Sequence, residues 1–424
     1  MDPADEAHTP ALRFVAAVTL AGLTAGATGW FFVHLLHLLE RVAYGMADGQ
    51  ATFLEAVAST DPRRRVVALA LAGLIGGLSW FLIRRHGRPI VSVTDAVAGW
   101  RMPLLTTFLH STTQVVIVGL GAAIGRETAP REMSAALAGF VSDRLGLTAE
   151  DRRTIVACGA GAGLAAVYSI PLSGAVFALE ILLVNLAPRS VWSALAASGI
   201  AVLLADGWSR PAPFYTVPEL HPTASLLVWA VLAGPLLGVL GHLFHRCVHR
   251  FEIDRPTGAG LLVTMPVTFT LVGLVAVWVP SVLGNGQSSA QVAFDATLVA
   301  PLALIVVARA CATLATIRSG AWGGTLTPAI ALGAGLGALT GILWSMAWPG
   351  TQVAAFALVG AAAFLSASMR APFTALVLVL EFTQQGVQIL VPALLALAGA
   401  VAASSWMETH APGLLRRPGP RDAG

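Results

Sequence analysis

Lysine is absent from this 424-residue chain; its 25 basic residues are all arginine. Charge of either sign is scarce. Asp, Glu, Lys and Arg make up 11% of the residues and hydrophobic types 56%, where soluble domains carry roughly 25% charged residues. A surface so poor in charge cannot face water all round, which excludes a soluble globular domain, and no nucleic acid is expected as a partner. Cysteine is nearly missing as well: Cys158, Cys247 and Cys311 are scattered in or beside apolar runs. That excludes a disulfide framework and offers no metal site. Two catalytic signatures are also lacking, the His-Glu-x-x-His zinc motif and the Gly-x-Ser-x-Gly nucleophile turn. Their absence counts against an intramembrane enzyme, the competing class. The start of the chain, residues 1–10, is polar and acidic rather than leader-like, so the first apolar segment is expected to serve as an uncleaved anchor.

What the chain has in abundance is apolar length. Apolar runs recur at residues 14–39, 66–83, 104–124, 155–186, 224–243, 258–279, 296–308, 353–369 and 387–405. Several reach the roughly 20 residues that a spanning helix needs. Others are short or broken by Pro130, Pro171, Pro328 and Pro372. These read as helices that start or stop inside the membrane, where non-helical backbone survives only under a cover of protein or water. The expectation is an all-α, multi-pass protein of the cell membrane. It has a tail at residues 1–10, a membrane domain at 11–411 and a short tail at 412–424, with no cytoplasmic regulatory domain after it. Arg84, Arg85 and Arg88 follow one span and Arg416 and Arg417 follow the last, which places both clusters in the cytoplasm. Arg63, Arg64 and Arg65 precede a span and fall on the other side.

The chain also repeats itself. Residues 170–180, ending in Glu180, recur as residues 371–381, ending in Glu381, a shift of 201; the turn at 125–130 recurs at 323–328, a shift of 198. Two pairs with nearly one offset imply two structural halves, roughly 60–205 and 224–411. Transporters built from such halves place their substrate where broken helices meet near the midplane. Gly125-Arg126-Glu127 and Gly323-Gly324-Thr325-Leu326 each read as a flexible turn opening a helix. Free amides and the positive end of the macrodipole there suit an anion. Glu127 lies in a stretch that belongs in lipid, and an ionisable group at that depth marks an ion or proton pathway. Ionised, its carboxylate could occupy the anion site; protonated, it could swing away. The alternative is a simple helix cap. Arg126 is either an ion contact or the partner of a nearby acid. Glu180 and Glu381 are either proton relays or bonded to backbone at helix ends. His242, His245 and His249 share one helix face beside Arg246 and Arg250 and read as an interfacial basic patch.

These motifs resemble the CLC family of chloride channels and proton-coupled chloride transporters. Residues 125–129 are similar to the family's Gly-Arg/Lys-Glu-Gly-Pro turn and residues 324–328 to its filter segment. The runs 159–180 and 370–383 are similar to further family helices, all in family order. The resemblance implies a CLC-type fold of two inverted repeats with broken and re-entrant helices, and a homodimer with one pore per subunit. It implies halide transport, chloride first, as a channel or a proton/anion exchanger, with no cofactor. It makes Glu127 the gating glutamate and assigns anion contacts to Gly125, Arg126, Gly324 and the amides of Thr325 and Leu326. The family's Gly-Ser-Gly-Ile-Pro turn falls near residues 90–94. Strict register puts Val91 at its serine, and Ser92 serves with a one-residue shift. Glu180 is the possible proton relay, but Ile181 stands where proton-coupled members often carry a second acid, and the family's C-terminal tyrosine aligns with Gly413. Fluoride-exporting relatives carry a threonine near Thr327, so fluoride/proton antiport is the alternative.

Overall fold

The computed structural model describes residues 9–46, 52–207 and 213–410. Within these the chain is almost wholly helical. In chain order the α-helices are α1 (Ala11–Tyr44), α2 (Phe53–Ser59), α3 (Pro62–His86), α4 (Val93–Val97), α5 (Leu104–Gly119), α6 (Thr128–Leu145), α7 (Ala149–Tyr168), α8 (Pro171–Phe177) and α9 (Pro188–Asp206). Then follow α10 (Ala224–Ile253), α11 (Leu261–Trp278), α12 (Gln287–Phe294), α13 (Val299–Arg318), α14 (Leu326–Ser345), α15 (Val353–Met369), α16 (Pro372–Thr383) and α17 (Leu390–His410). Among the described residues, eight helical segments are long and apolar enough to cross a membrane. The exterior fits that medium: Leu71, Leu74 and Leu78 on α3 and Leu271 and Leu274 on α11 are exposed.

Local chemistry sets the helix starts. Thr52 and Glu55 form a capping box on α2, Asp61 caps α3 ahead of Pro62, and Thr148 and Thr223 cap α7 and α10. Each hydroxyl or carboxylate satisfies an amide that the helix leaves unpaired. The centre is made of small residues. Every residue of α7 from Thr154 to Tyr168 is buried, and α15 is covered from Ala354 to Ser368. Ala and Gly allow this close approach in a medium where helices gain little from hiding apolar surface. A side chain at Gly360 would come within 2.6 Å of the Gly337 backbone on α14.

The two halves repeat in backbone detail. Among the described residues, four that are not glycine adopt the left-handed conformation: Ser169, Val184, Arg370 and Gln384. They form two pairs 201 and 200 residues apart, at the ends of α7 and α15 and after the α8 and α16 segments. The conformation costs each of them roughly 1–2 kcal/mol, so its recurrence marks a structural demand common to both halves. The halves also cap each other. Glu180 accepts from the Phe373 and Thr374 amides at 3.0 and 2.6 Å and from the Thr374 hydroxyl at 2.6 Å, at the start of α16. Glu381 accepts from the Leu172 and Ser173 amides at 3.1 and 2.6 Å and from the Ser173 hydroxyl, at the start of α8. Reciprocal contacts of this kind are what a two-fold relation between the halves produces. α1 packs on α7 and α9 as α10 packs on α15 and α17.

The arginines at the start of α3 are engaged with helix ends. Arg65 is buried and donates to the carbonyls of Ala58, Thr60 and Ala276; Arg64 donates to that of Val42. They satisfy terminal carbonyls of neighbouring elements, which explains why basic residues stand at both ends of one span. Arg416, Arg417 and Gly413 lie outside the described residues.

Glu381→Ala strips three donors of one carboxylate and is expected to lower stability by about 2–3 kcal/mol, whereas Ser173→Ala removes one neutral donor and costs about 1 kcal/mol. Thermal unfolding of the detergent-solubilised protein would show equal losses if the crossed capping carried no weight.

Candidate functional site

Two turns meet in the interior. Gly125 donates to the Gly324 carbonyl at 2.7 Å and Gly324 donates back to that of Gly125 at 2.9 Å, an isolated antiparallel bridge. It pins the start of α6 against the start of α14. Two helix N-termini therefore open on one point, each presenting amides without an internal partner.

Glu127 occupies that point and is fully buried. It is the N-cap residue of α6, yet its side chain makes no cap bond on that helix. It crosses instead to the other half. Oε1 accepts from the Leu326 amide, the first residue of α14, at 2.7 Å; Oε2 lies 3.3 Å from the Tyr168 hydroxyl and 3.4 Å from that of Thr327. The simple-cap alternative is thereby replaced by a bridge between repeats. Of the two amides assigned by resemblance, Leu326's is the one bonded to Glu127. Gly324 is glycine for a steric reason: a Cβ there would collide with the Glu127 carboxylate, and one at Gly125 would do the same.

Cations surround the site without touching the carboxylate oxygens. Arg131 reaches back along α6, donating from Nε to the Glu127 carbonyl at 3.0 Å and from Nη2 to the Thr128 hydroxyl at 2.8 Å. Arg126 lies over the rings of Tyr168 and Phe214, 5.0 and 5.9 Å from their centroids. It lines a small cavity with Glu40, Asn285 and Gln287. Arg309 on α13 is fully buried, with Nη1 donating to the Val282 and Gly284 carbonyls at 2.9 and 2.8 Å. Its field reaches Glu127. Positive charge held near the seat, and helix ends at the seat, attract an anion without gripping it too hard for release.

Tyr168, Phe214, Tyr215 and Phe382 wall one side of the site, their ring centroids 4.6–5.8 Å apart in successive contacts. Two of the chain's three tyrosines are in that wall. The third, Tyr44, donates to the Leu120 carbonyl at 2.7 Å, on the turn leading to Gly125. Sequence reasoning passed over Tyr168 and Arg309. The only signals available were a tyrosine in an alanine-rich run and an arginine inside an apolar one.

The remaining sequence candidates lie elsewhere. Ser92 caps α4: its hydroxyl accepts from the Asp95 amide at 3.1 Å and donates to the Asp95 carboxylate at 2.7 Å. Val91 packs against a hydrophobic cluster built from α1, α6, α7 and α9. No described contact joins either to Glu127. Glu180 is held by three donors of α16, so its carboxylate is committed to capping and the relay role loses its support. Among the described residues no group of His, Cys, Asp and Glu could hold a metal. His242 instead lies 3.9 Å from Glu408, which also pairs with Arg370 at 2.7 Å.

The family described as "Voltage gated chloride channel" matches residues 71–405 of the chain. A curated protein named Voltage-gated ClC-type chloride channel ClcB, of Escherichia coli O9:H4 (strain HS), is 28% identical over 392 residues, covering 88% of this chain and 91% of its own. A slow cyanobacterial Cl−/H+ antiporter superposes with a TM-score of 0.79 at 20% identity, over 93% of this chain and 95% of the other. A CLC-type fluoride/proton antiporter does so with a TM-score of 0.70 at 19% identity, over 92% and 95%. The two superpositions establish a common fold.

Gly324→Ala sets a methyl group where the Glu127 carboxylate rests and is expected to cost about 1–3 kcal/mol of stability. In a Glu127→Ala background the same substitution should cost less than half as much, because the clash is gone. A double-mutant cycle on thermal unfolding checks this; additive losses would mean that the two residues do not share the seat.

Proposed function

The chain belongs to the voltage-gated chloride channel (CLC) family, and from that premise we propose that it carries halide anions across a cell membrane, chloride first, as a channel or a proton/anion exchanger gated by Glu127. One observation carries the reading: the Glu127 carboxylate, itself an anion, accepts from the Leu326 amide at the start of α14. A group held there by a helix N-terminus stands in for a halide ion. The donors around it are neutral and modest, so a halide could replace the carboxylate at little difference in free energy. Protonation removes the charge that the helix end attracts, and the side chain then has reason to leave. One residue thus couples occupancy of the seat to the proton concentration. Transport, rather than an intramembrane reaction, is the use this geometry supports.

Fluoride/proton antiport is the second reading, favoured by the Thr327 hydroxyl 3.4 Å from Glu127 Oε2. A fixed hydroxyl donor beside the seat suits the smallest and most strongly hydrated halide. The proposal includes a homodimer, each subunit with its own pathway, and the bilayer as surrounding partner. It also has the first repeat begin at α1, not near residue 60, since α1 packs in its half as α10 packs in the other.

Purified protein in liposomes, followed with chloride and fluoride electrodes and a pH electrode, tests the reading. Halide efflux is expected, and Glu127→Ala should retain anion flux while losing its pH dependence. No flux of either halide would reject transport. A Glu127→Ala protein with an unchanged pH response would reject the gating role.

A further inference from the structure

A second acid on α6 is buried with partners of its own. Glu132 follows Glu127 by five residues, about 7.5 Å further along the helix axis, and is 4% exposed. Its Oε2 accepts from Gln114 Nε2 at 2.8 Å and lies 3.3 Å from His110 Nε2. Both neighbours are on α5 and fully buried. Trp80 Nε1 on α3 donates to His110 Nδ1 at 2.9 Å. An indole nitrogen only donates, so Nδ1 must accept, and the neutral ring carries its proton on Nε2, facing Glu132. A doubly protonated ring would lose the Trp80 bond. The acid, not the imidazole, is therefore the member of this pair free to change its charge.

The surroundings serve Glu132 in both states. Ionised, it takes the Gln114 amide hydrogen and faces the His110 N–H. Protonated, it needs an acceptor, and the Gln114 Oε1 atom is buried with no hydrogen-bond partner; rotating the amide end for end presents it. Glu180 and Glu381 differ, because each holds two backbone amides, which only donate. Protonating either would break a helix cap.

The cluster also connects two directions. Toward the seat, Arg131 interacts electrostatically with both Glu127 and Glu132, so one cation sits in the field of two acids. Toward the exterior, the His110 ring packs edge-on against Trp322 at 5.1 Å. Arg255 and the exposed Arg84 lie over that indole, 4.6 and 6.0 Å from its centroid. Arg255 pairs with Glu252 at 3.0 Å and interacts with Glu132 at longer range. The titratable or charged side chains with a described interaction with Glu132 are thus the neutral His110 on α5, Arg131 on its own helix and Arg255 in the link after α10. The cluster lies one side-chain layer beneath the end of α3 that carries Arg84 and Arg85, the face assigned to the cytoplasm.

The geometry points to Glu132, seated by His110 and Gln114, as a second proton-binding group of the transport cycle, exchanging protons between the Arg84 face and Glu127. A proton from water on that face adds to the Glu132 carboxylate, turning the Gln114 amide. It is passed on to the Glu127 carboxylate when that side chain leaves the Leu326 amide, and Glu132 returns to its ionised form. No bond other than O–H is made or broken, and from the protonation of Glu132 to the hand-over Arg131 faces one ionised carboxylate in place of two.

This inference rests on the transport reading above, and the test separates the two. Wild-type and Glu132→Gln full-length proteins are reconstituted in liposomes, and proton and halide movements are recorded together. The expected result is a ratio of protons to halide at least tenfold lower in Glu132→Gln. No halide movement by the wild type would defeat the transport reading itself. Halide movement without protons in the wild type, or an unaltered ratio in the variant, would overturn the role of Glu132. Should Glu132→Gln fail to fold, Glu132→Asp and difference infrared spectroscopy decide. A protonated-carboxyl band that appears on acidification of the wild type and shifts in Glu132→Asp supports the inference. A band indifferent to that substitution overturns it.

Discussion

The structure depends on two backbone hydrogen bonds between Gly125 and Gly324. They force two helices to begin at the same buried place, and a helix beginning in the interior leaves amides that must be satisfied. The Glu127 carboxylate satisfies one of them, from the opposite repeat. The costs of burying a charge and of burying a bare helix start are met by the same contact. Each would be severe alone. That mutual dependence makes the seat specific for something negative and leaves the side chain replaceable by an ion.

The same economy appears at the other helix starts. α8 and α16 begin with proline, which needs no partner at its own nitrogen, and the next two amides are taken by an acid from the other half. In each half a left-handed residue turns the chain sharply from a fully buried helix into this short one. Three acids thus do related electrostatic work, each at the start of a helix in the opposite half. They differ in what surrounds them: backbone amides and one hydroxyl for Glu180 and Glu381, two hydroxyls and one amide for Glu127. Glu132, with an amide that can donate or accept, is of a third kind.

Much of this was legible in the sequence. Glu127 stood out because charge is so rare around it. The repeat showed because proline and acid recur at one offset. The interrupted runs foretold helices that start inside the membrane, and the joint motif order pointed to the family. Other features escaped for physical reasons. Tyr168 and Arg309 are more than thirty residues from Glu127 in sequence, and only tertiary folding brings them near it. The choice between relay and cap for Glu180 depended on what lay opposite its carboxylate, which no spacing within one half reveals. Ser92 had the right chemistry for an anion contact, but its hydroxyl is spent on the Asp95 amide and carboxylate. His110 and Glu132 lie on two helices but outside every motif, and a histidine in an apolar run looks like packing until its partner is seen.

The crossed capping of α8 and α16 has a consequence for biogenesis. The amides of Leu172 and Ser173 wait for Glu381, 209 and 208 positions later. At ordinary ribosome speeds of about 5–20 residues per second, that interval is roughly 10–40 s. For that time the nascent leading half sits in the insertion machinery with one re-entrant segment unanchored. The molecule cannot mature piece by piece, and a translational pause between the repeats would prolong the most vulnerable moment of its synthesis.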